Sequence, residues 1–202
     1  MVNLSPNMSG DADMVVESLE RTENDLRVRD FNPAKQPFPD RFVLQTDGGS
    51  ENWNKFVMSY ALYKVLSGQI RYWEHGRNMT GHSHNKCDQM HSIGQQGLKV
   101  ADCYEIADQQ RVIKEAHRKG AYSVRCMMIA RSRAWKSILG PGGSICGRKI
   151  VGMAGIRAYV VVAVPGGASL FWREHWSDPV WKGGNFLVGP SSSNGSGRGS
   201  AS

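Results

Sequence analysis

The residues whose types and spacing could do chemistry lie between Gln45 and His91. Asp47 follows the apolar run Phe42–Thr46 and is itself followed by Gly48 and Gly49. Asp88 stands near the start of a helical stretch, just after Gly81-His82-Ser83-His84. A carboxylate at a strand end and a second on a facing helix can share hard divalent cations such as Mg²⁺ or Mn²⁺, which take oxygen ligands. Two such ions about 3.5–4 Å apart stabilise both the attacking and the leaving oxygen of phosphodiester chemistry. On a helix, His84 and Asp88 would be i and i+4, and Asp88 and His91 i and i+3, so all three could share a face. The plainer alternative makes Asp47 a turn residue and Asp88 a solvated helix residue. His82, His84, Cys87 and His91 also follow the spacing H-x-H-x₂-C-x₃-H. Nitrogen and thiolate donors suit zinc, although four ligands within ten residues leave little chain to wrap the ion. Loop contacts and helix capping account for these histidines equally.

Elements must hold these groups in place. Phe42–Thr46 reads as a short strand running into a glycine turn. Ser50 or Asn52 could cap a helix from Glu51 to Ser67, where Trp53, Phe56, Val57, Tyr60 and Ala61 form one stripe. Met58, Leu62, Val65 and Leu66 widen that stripe, which predicts a helix buried on most sides. Gly68 occupies the usual stop position. Ile70–Trp73 reads as a second strand, Glu74–Ser83 as a polar loop, and Asn85–Val100 and Asp102–Lys119 as helices. Further on come a strand at Tyr122–Ala130, a short helix or turn at Arg133–Leu139 and a glycine-proline break at Gly140–Gly143. The β-branched run Ala158–Val164 is the strongest strand signal in the chain. Pro165-Gly166-Gly167 turns it back into Ala168–Glu174 as a hairpin.

The 202 residues suggest one domain with a sizeable core. A hydrophobic content of 40% excludes wholesale disorder. No stretch of about 18 apolar residues predicts a membrane span, and no export signal is visible at Met1–Asp13. Cys87, Cys103, Cys126 and Cys146 stand far apart and read as reduced thiols of an intracellular protein. The net charge of +7 is uneven, because residues 1–40 hold four basic and eight acidic side chains. That segment could form one short charged helix around Asp13–Leu26, with few apolar positions, and with three prolines in FNPAKQPFPDR it reads as an acidic leader and linker. Residues 41–189 form the domain proper, and residues 190–202 a Ser/Gly-rich flexible tail. The basic body fits a polyanion, since Lys and Arg release counterions from phosphates. Arg125, Arg131, Arg133, Lys136, Arg148 and Lys149 are its candidate nucleic-acid contacts. Trp135 lies among them, better placed as core than as a stacking platform.

The run LQTDGGSENWNKFVMSYALYKVLSG…IRYWEHGRNMTGHSHNKCDQMHSIGQQ resembles a domain of unknown function from transposon-derived eukaryotic proteins. That domain is itself similar to the ribonuclease H-like core of DDE/D transposases and integrases. The resemblance spans about residues 41–185, the later hairpin more loosely. It implies an α/β fold, a partial ribonuclease H-like core with a short mixed sheet flanked by helices and a C-terminal β-hairpin. It makes Asp47 and Asp88 the second and third acidic metal ligands, with Gly48, Gly49, Asn52 and Asn54 at the polar turn and Gly81, His82 and Ser83 before Asp88. It implies Mg²⁺ or Mn²⁺ rather than Zn²⁺, DNA as partner, no membrane, and a nuclear location. The first acidic residue of such a core has no counterpart in residues 1–40, where Asp30 sits in a proline-rich setting unlike a central strand. The chain is therefore expected to be an N-terminally incomplete copy with low or no catalytic activity. Two other functions stand beside this one: a non-enzymatic nucleic-acid-binding remnant, and a small zinc-stabilised interaction domain.

Overall fold

A computed structural model describes residues 12–29, 39–78, 86–117, 133–139 and 153–184. Among the described residues it is a mixed α/β structure in which five strands form one sheet in the order β1-β2-β3-β4-β5. The strands are β1 (Arg41–Thr46), β2 (Tyr72–Arg77), β3 (Ala158–Val164), β4 (Gly167–Arg173) and β5 (Lys182–Gly184). The helices are α1 (Ala12–Arg29), α2 (Lys55–Leu66), α3 (Lys86–Val100), α4 (Ile106–Ala116) and α5 (Trp135–Ile138). β1 and β2 run parallel, joined through α2, and the remaining pairings are antiparallel. The C-terminal hairpin is β3–β4, turned at Pro165–Gly166, where Gly166 takes φ 79°. Only glycine adopts that backbone without strain.

The apolar content of α2 is explained by where it lies. One side packs on β2, β3 and β4, the other on α1. Val57, Met58, Tyr60, Ala61, Leu62 and Val65 are all buried. Beneath them Trp73 stacks on Phe42 with ring centroids 4.3 Å apart, and Tyr60 meets Trp73 edge-on at 5.7 Å. Each such side chain contributes about 1.5–3 kcal/mol by leaving water. α2 starts at Lys55, later than the expected Glu51, and its cap is Asn54 rather than Ser50 or Asn52. The Asn54 side chain accepts from Phe56 N (2.9 Å) and Val57 N (3.1 Å). Asn52 is occupied elsewhere, since its amide donates to Asp47. Asn54→Ala is expected to lower stability by about 1 kcal/mol in a urea melt, whereas Ser50→Ala should have no comparable effect. The helix stops before Gly68, which takes φ 72°.

α1 comes from the acidic segment expected as a leader. It packs against α2 and α5 through Val16 and Leu19, and through buried carboxylates. Glu17 accepts from Arg21 (2.7 Å) and from the indole of Trp135 (2.9 Å). Glu20 accepts from the Tyr60 hydroxyl (2.6 Å), and Glu20 and Glu23 flank the Lys64 ammonium at 3.1 and 2.9 Å. Trp135 is 3% exposed and belongs to the core.

β2 runs from Tyr72 to Arg77, not from Ile70 to Trp73. The strand continues through Glu74, His75 and Gly76 because its inward positions, Trp73 and His75, are completely enclosed. α3 and α4 pack on each other at a close approach, since a Cβ on Gly97 would lie 3.2 Å from Ala116 and 3.3 Å from Val112. α4 is shorter than the expected Asp102–Lys119. It starts where the Asp108 carboxylate accepts from the Tyr104 and Glu105 amides. The expected strand Tyr122–Ala130, the break at Gly140–Gly143 and the tail from residue 190 lie outside the described residues.

Candidate functional site

The parallel β1–α2–β2 unit brings the carboxyl ends of two strands together, the usual place for ligand groups in α/β sheets. Asp47 sits just past β1. One of its oxygens, Oδ1, accepts from Gly49 N (3.1 Å) and from Asn52 Nδ2 (2.8 Å). This Asx turn fixes the carboxylate's direction. The turn continues through the amides of Asn52 and Trp53, which both donate to Gly49 O at 3.1 and 2.9 Å. Next to it, Asn78 N donates to Thr46 O (2.8 Å) and the Gln45 amide donates to Asn78 Oδ1. The Asp47 carboxylate is thus exposed and held by N–H donors on one oxygen, Oδ1, and a carboxylate oxygen is the kind of ligand a hard cation takes.

Asp88 lies in the first turn of α3, the first described element after β2, and shares that helix with His91 at i+3. His91 is exposed. The side chains of Cys87 and Asp88, and all of Gly81, His82, Ser83 and His84, lie outside the described residues. So do Arg125, Arg131, Arg148 and Lys149. Among the described residues no three of His, Cys, Asp and Glu converge on a point where a metal could be held.

Of the basic candidates, Arg133 and Lys136 are described, and both belong to the α1 contact. Arg133 lies over the Trp135 ring at 5.4 Å, and its amide donates to Glu17 Oε2 (3.3 Å). Lys136 N donates to Asp13 Oδ1 (2.8 Å), and its ammonium is 3.9 Å from Asp13 Oδ2.

Behind the Asp47 turn lies a group the motif reading passed over. His75 is fully buried between two hydroxyls, with Nε2 2.9 Å from Thr46 Oγ1 and Nδ1 2.9 Å from Tyr159 Oη. A neutral ring satisfies both, donating through one nitrogen and accepting through the other. Burial pushes the His75 pKa down to about 3 and that of the Tyr159 hydroxyl up. Trp53 meets His75 edge-on at 4.7 Å and donates to Met153 O (3.3 Å). Thr46 is thus pinned on its side chain by His75 and on its backbone by Asn78, one residue before Asp47. A period-two pattern through Trp73, His75 and Arg77 was the signal for this strand, obscured by the polar types at its second and third inward positions.

The match of residues 5–150 to a family model described as Domain of unknown function (DUF7869) takes in α1, the Asp47 turn and α3. It stops before β3. Covering well over half of the chain, it shows that the chain belongs to this family. No curated protein and no solved structure matches the chain. Among the described residues no helix is long and apolar enough to cross a membrane.

Proposed function

We propose that this chain is a transposon-derived domain of the ribonuclease H-like kind, related to DDE/D transposases and integrases, and that its catalytic activity is low or absent. One observation carries the reading. The Asp47 carboxylate is held in a fixed direction at the carboxyl end of a parallel β1–α2–β2 unit, and Asp88 opens the first described helix after that unit. In this reading Asp47 and Asp88 hold Mg²⁺ or Mn²⁺, DNA is the partner, and the protein works in the nucleus. When bound, such a cation supplies charge stabilisation at a phosphodiester oxygen. The chain's own part is to aim Asp47 through Gly49 and Asn52 and to hold β1 in register through Thr46.

A second reading has its own observation. Asp47 Oδ1 already closes the turn through two hydrogen bonds, a role that asks for no cation. A non-enzymatic nucleic-acid-binding domain would keep this turn for shape alone.

Calorimetric titration with Mn²⁺ separates the two. The first expects measurable binding that weakens roughly tenfold or more in Asp47→Ala and vanishes in Asp47→Ala/Asp88→Ala. Wild-type binding that survives the double substitution, or no binding to the wild type, would leave the second as the account.

A further inference from the structure

We infer that β1 is a self-pairing edge, on which a second copy of this chain lays its own β1 antiparallel about a two-fold axis at Val43. This pairing draws on the sheet alone and is independent of the cation reading above.

The two edges of the sheet differ. β5 has three residues, Lys182–Gly184, and Gly183 takes φ 115°, outside the range of a regular strand. Short, irregular or charged edges resist pairing. β1 is six residues long, its exposure alternates without a break, and its one charge stands at the first residue, Arg41. No described strand lies on its far side. Tyr72 N donates to Asp40 O (3.0 Å) and Asn78 N donates to Thr46 O (2.8 Å). In a parallel ladder this phase turns the backbone groups of Phe42, Leu44 and Thr46 toward β2 and those of Arg41, Val43 and Gln45 outward. Among the described residues the outward N–H and C=O groups have no partner. Apolar surface goes with them. Val43 is 60% exposed on one face of the sheet. On the other face Phe42 and Leu44 pack against the core yet stay only half-buried. A strand added here would cover all three.

Any extended peptide could take the hydrogen bonds, but the side chains of β1 favour β1 itself. The run Arg41-Phe42-Val43-Leu44-Gln45 is polar at each end and apolar between, so its pattern is the same in both directions. An antiparallel copy centred on Val43 sets Val43 opposite Val43, Phe42 opposite Leu44 and Arg41 opposite Gln45. Each outward residue then gives one hydrogen bond and takes one, and no like charges meet. Arg41 stays neutralised within its own sheet, 3.5 Å from the Glu74 carboxylate and with its guanidinium 4.5 Å from the Tyr72 ring centroid. The neighbouring registers are poorer. A slip of two residues one way sets Gln45 against Pro39, which has no N–H to give. A slip the other way runs the ladder into the Asp47 turn, where the chain has already left the strand.

The test is sedimentation velocity of the full chain at rising protein concentration, up to about 0.3 mM. The wild type should show a reversible monomer–dimer equilibrium. Gln45→Glu sets a carboxylate against Arg41 on each side of the axis and should tighten the dimer about two- to thirtyfold. Gln45→Arg sets like charges there and should weaken it by a similar factor. Both variants give up the bond that the Gln45 amide donates to Asn78 Oδ1, so the difference between them reports the charge. Val43→Lys sets two ammonium groups against each other and should weaken the dimer about tenfold or more. Val43 and Gln45 are exposed, so urea midpoints of the dilute variants should stay close to that of the wild type, which separates lost pairing from lost folding. Deuterium exchange at the Val43 amide should slow as concentration rises. A wild type that stays monomeric throughout would overturn the pairing. So would a dimer that Val43→Lys leaves intact, one in which Gln45→Glu and Gln45→Arg act alike, or Val43 exchange that ignores concentration.

Discussion

Replacing Lys64 with alanine is expected to cost about 3–5 kcal/mol of folding stability, the usual result of removing one partner of a buried ion pair. Lys64 is 1% exposed, and so is Glu23, whose Oε2 lies 2.9 Å from the ammonium. Glu20 shares the same ammonium at 3.1 Å, and the Gln69 side chain accepts from it as well. Without Lys64, Glu23 keeps Arg27 on its other oxygen at 2.6 Å, but two carboxylates then face one another across the α1–α2 contact. Burial pushes the Glu20 carboxyl up, yet the Tyr60 hydrogen bond and the Lys64 charge outweigh it, and the group stays below its ordinary 4.5. Its contribution is present above that value and is lost as pH falls below it. Urea denaturation at neutral pH measures the cost of Lys64→Ala directly. A companion variant, Lys64→Met/Glu20→Gln/Glu23→Gln, removes the charges together and should recover at least half of the loss. A cost below about 1 kcal/mol for Lys64→Ala would mean that the pair behaves like an exposed one, and that α1 is not fixed to α2 as described.

That network shows why part of the fold was hidden in the sequence. A helix near Asp13–Leu26 is readable, but its apolar positions are few and its acidic residues suggest a solvated surface. Their cation comes from Lys64, which lies 44 residues from Glu20. Nothing local announces the pairing. α2 was legible because its apolar residues surround it and Gly68 ends it, whereas its first turn was not. Ser50, Asn52 and Asn54 are all good caps, and the choice depends on Asn52 being drawn to Asp47. The β3–β4 hairpin was legible because a β-branched run and a Pro-Gly turn act at short range.

The same contrast holds at the site. Asp47 was identifiable from its neighbours alone, an apolar strand before it and two glycines after it. The buried cluster behind it was not, because Thr46, His75 and Tyr159 meet only through the pairing of three strands. Strand β2 was cut short at Trp73 because histidine and arginine at inward positions resemble a loop. His75 takes such a position only because Thr46 and Tyr159 supply its hydrogen bonds from the two neighbouring strands. Local propensity gave way to polar satisfaction across the sheet.

Acidification should expose this dependence. In the folded chain His75 has its pKa pushed down to about 3 from an ordinary 6.5, because burial disfavours the charged ring. The unfolded chain therefore takes up a proton near pH 6.5 that the folded chain refuses until about pH 3. Stability is complete above the upper value and falls as pH drops between the two, by up to about 1.4 kcal/mol per pH unit. From pH 7 to 5 the loss should be about 2 kcal/mol in urea denaturation. That interval lies above the range in which Glu17 and Glu20, both held below 4.5, take up protons. His75→Gln keeps hydrogen-bonding capacity but cannot titrate, so its stability should be lower at pH 7 and nearly flat down to pH 5. A wild-type curve that is flat over the same range, or a slope that persists in His75→Gln, would show that the ring is not the group responsible. Thr46 connects this titration to the candidate site. Its hydroxyl is held by His75 and the next residue is Asp47, so the hydroxyl that donates to the neutral ring would have to turn and accept from the charged one.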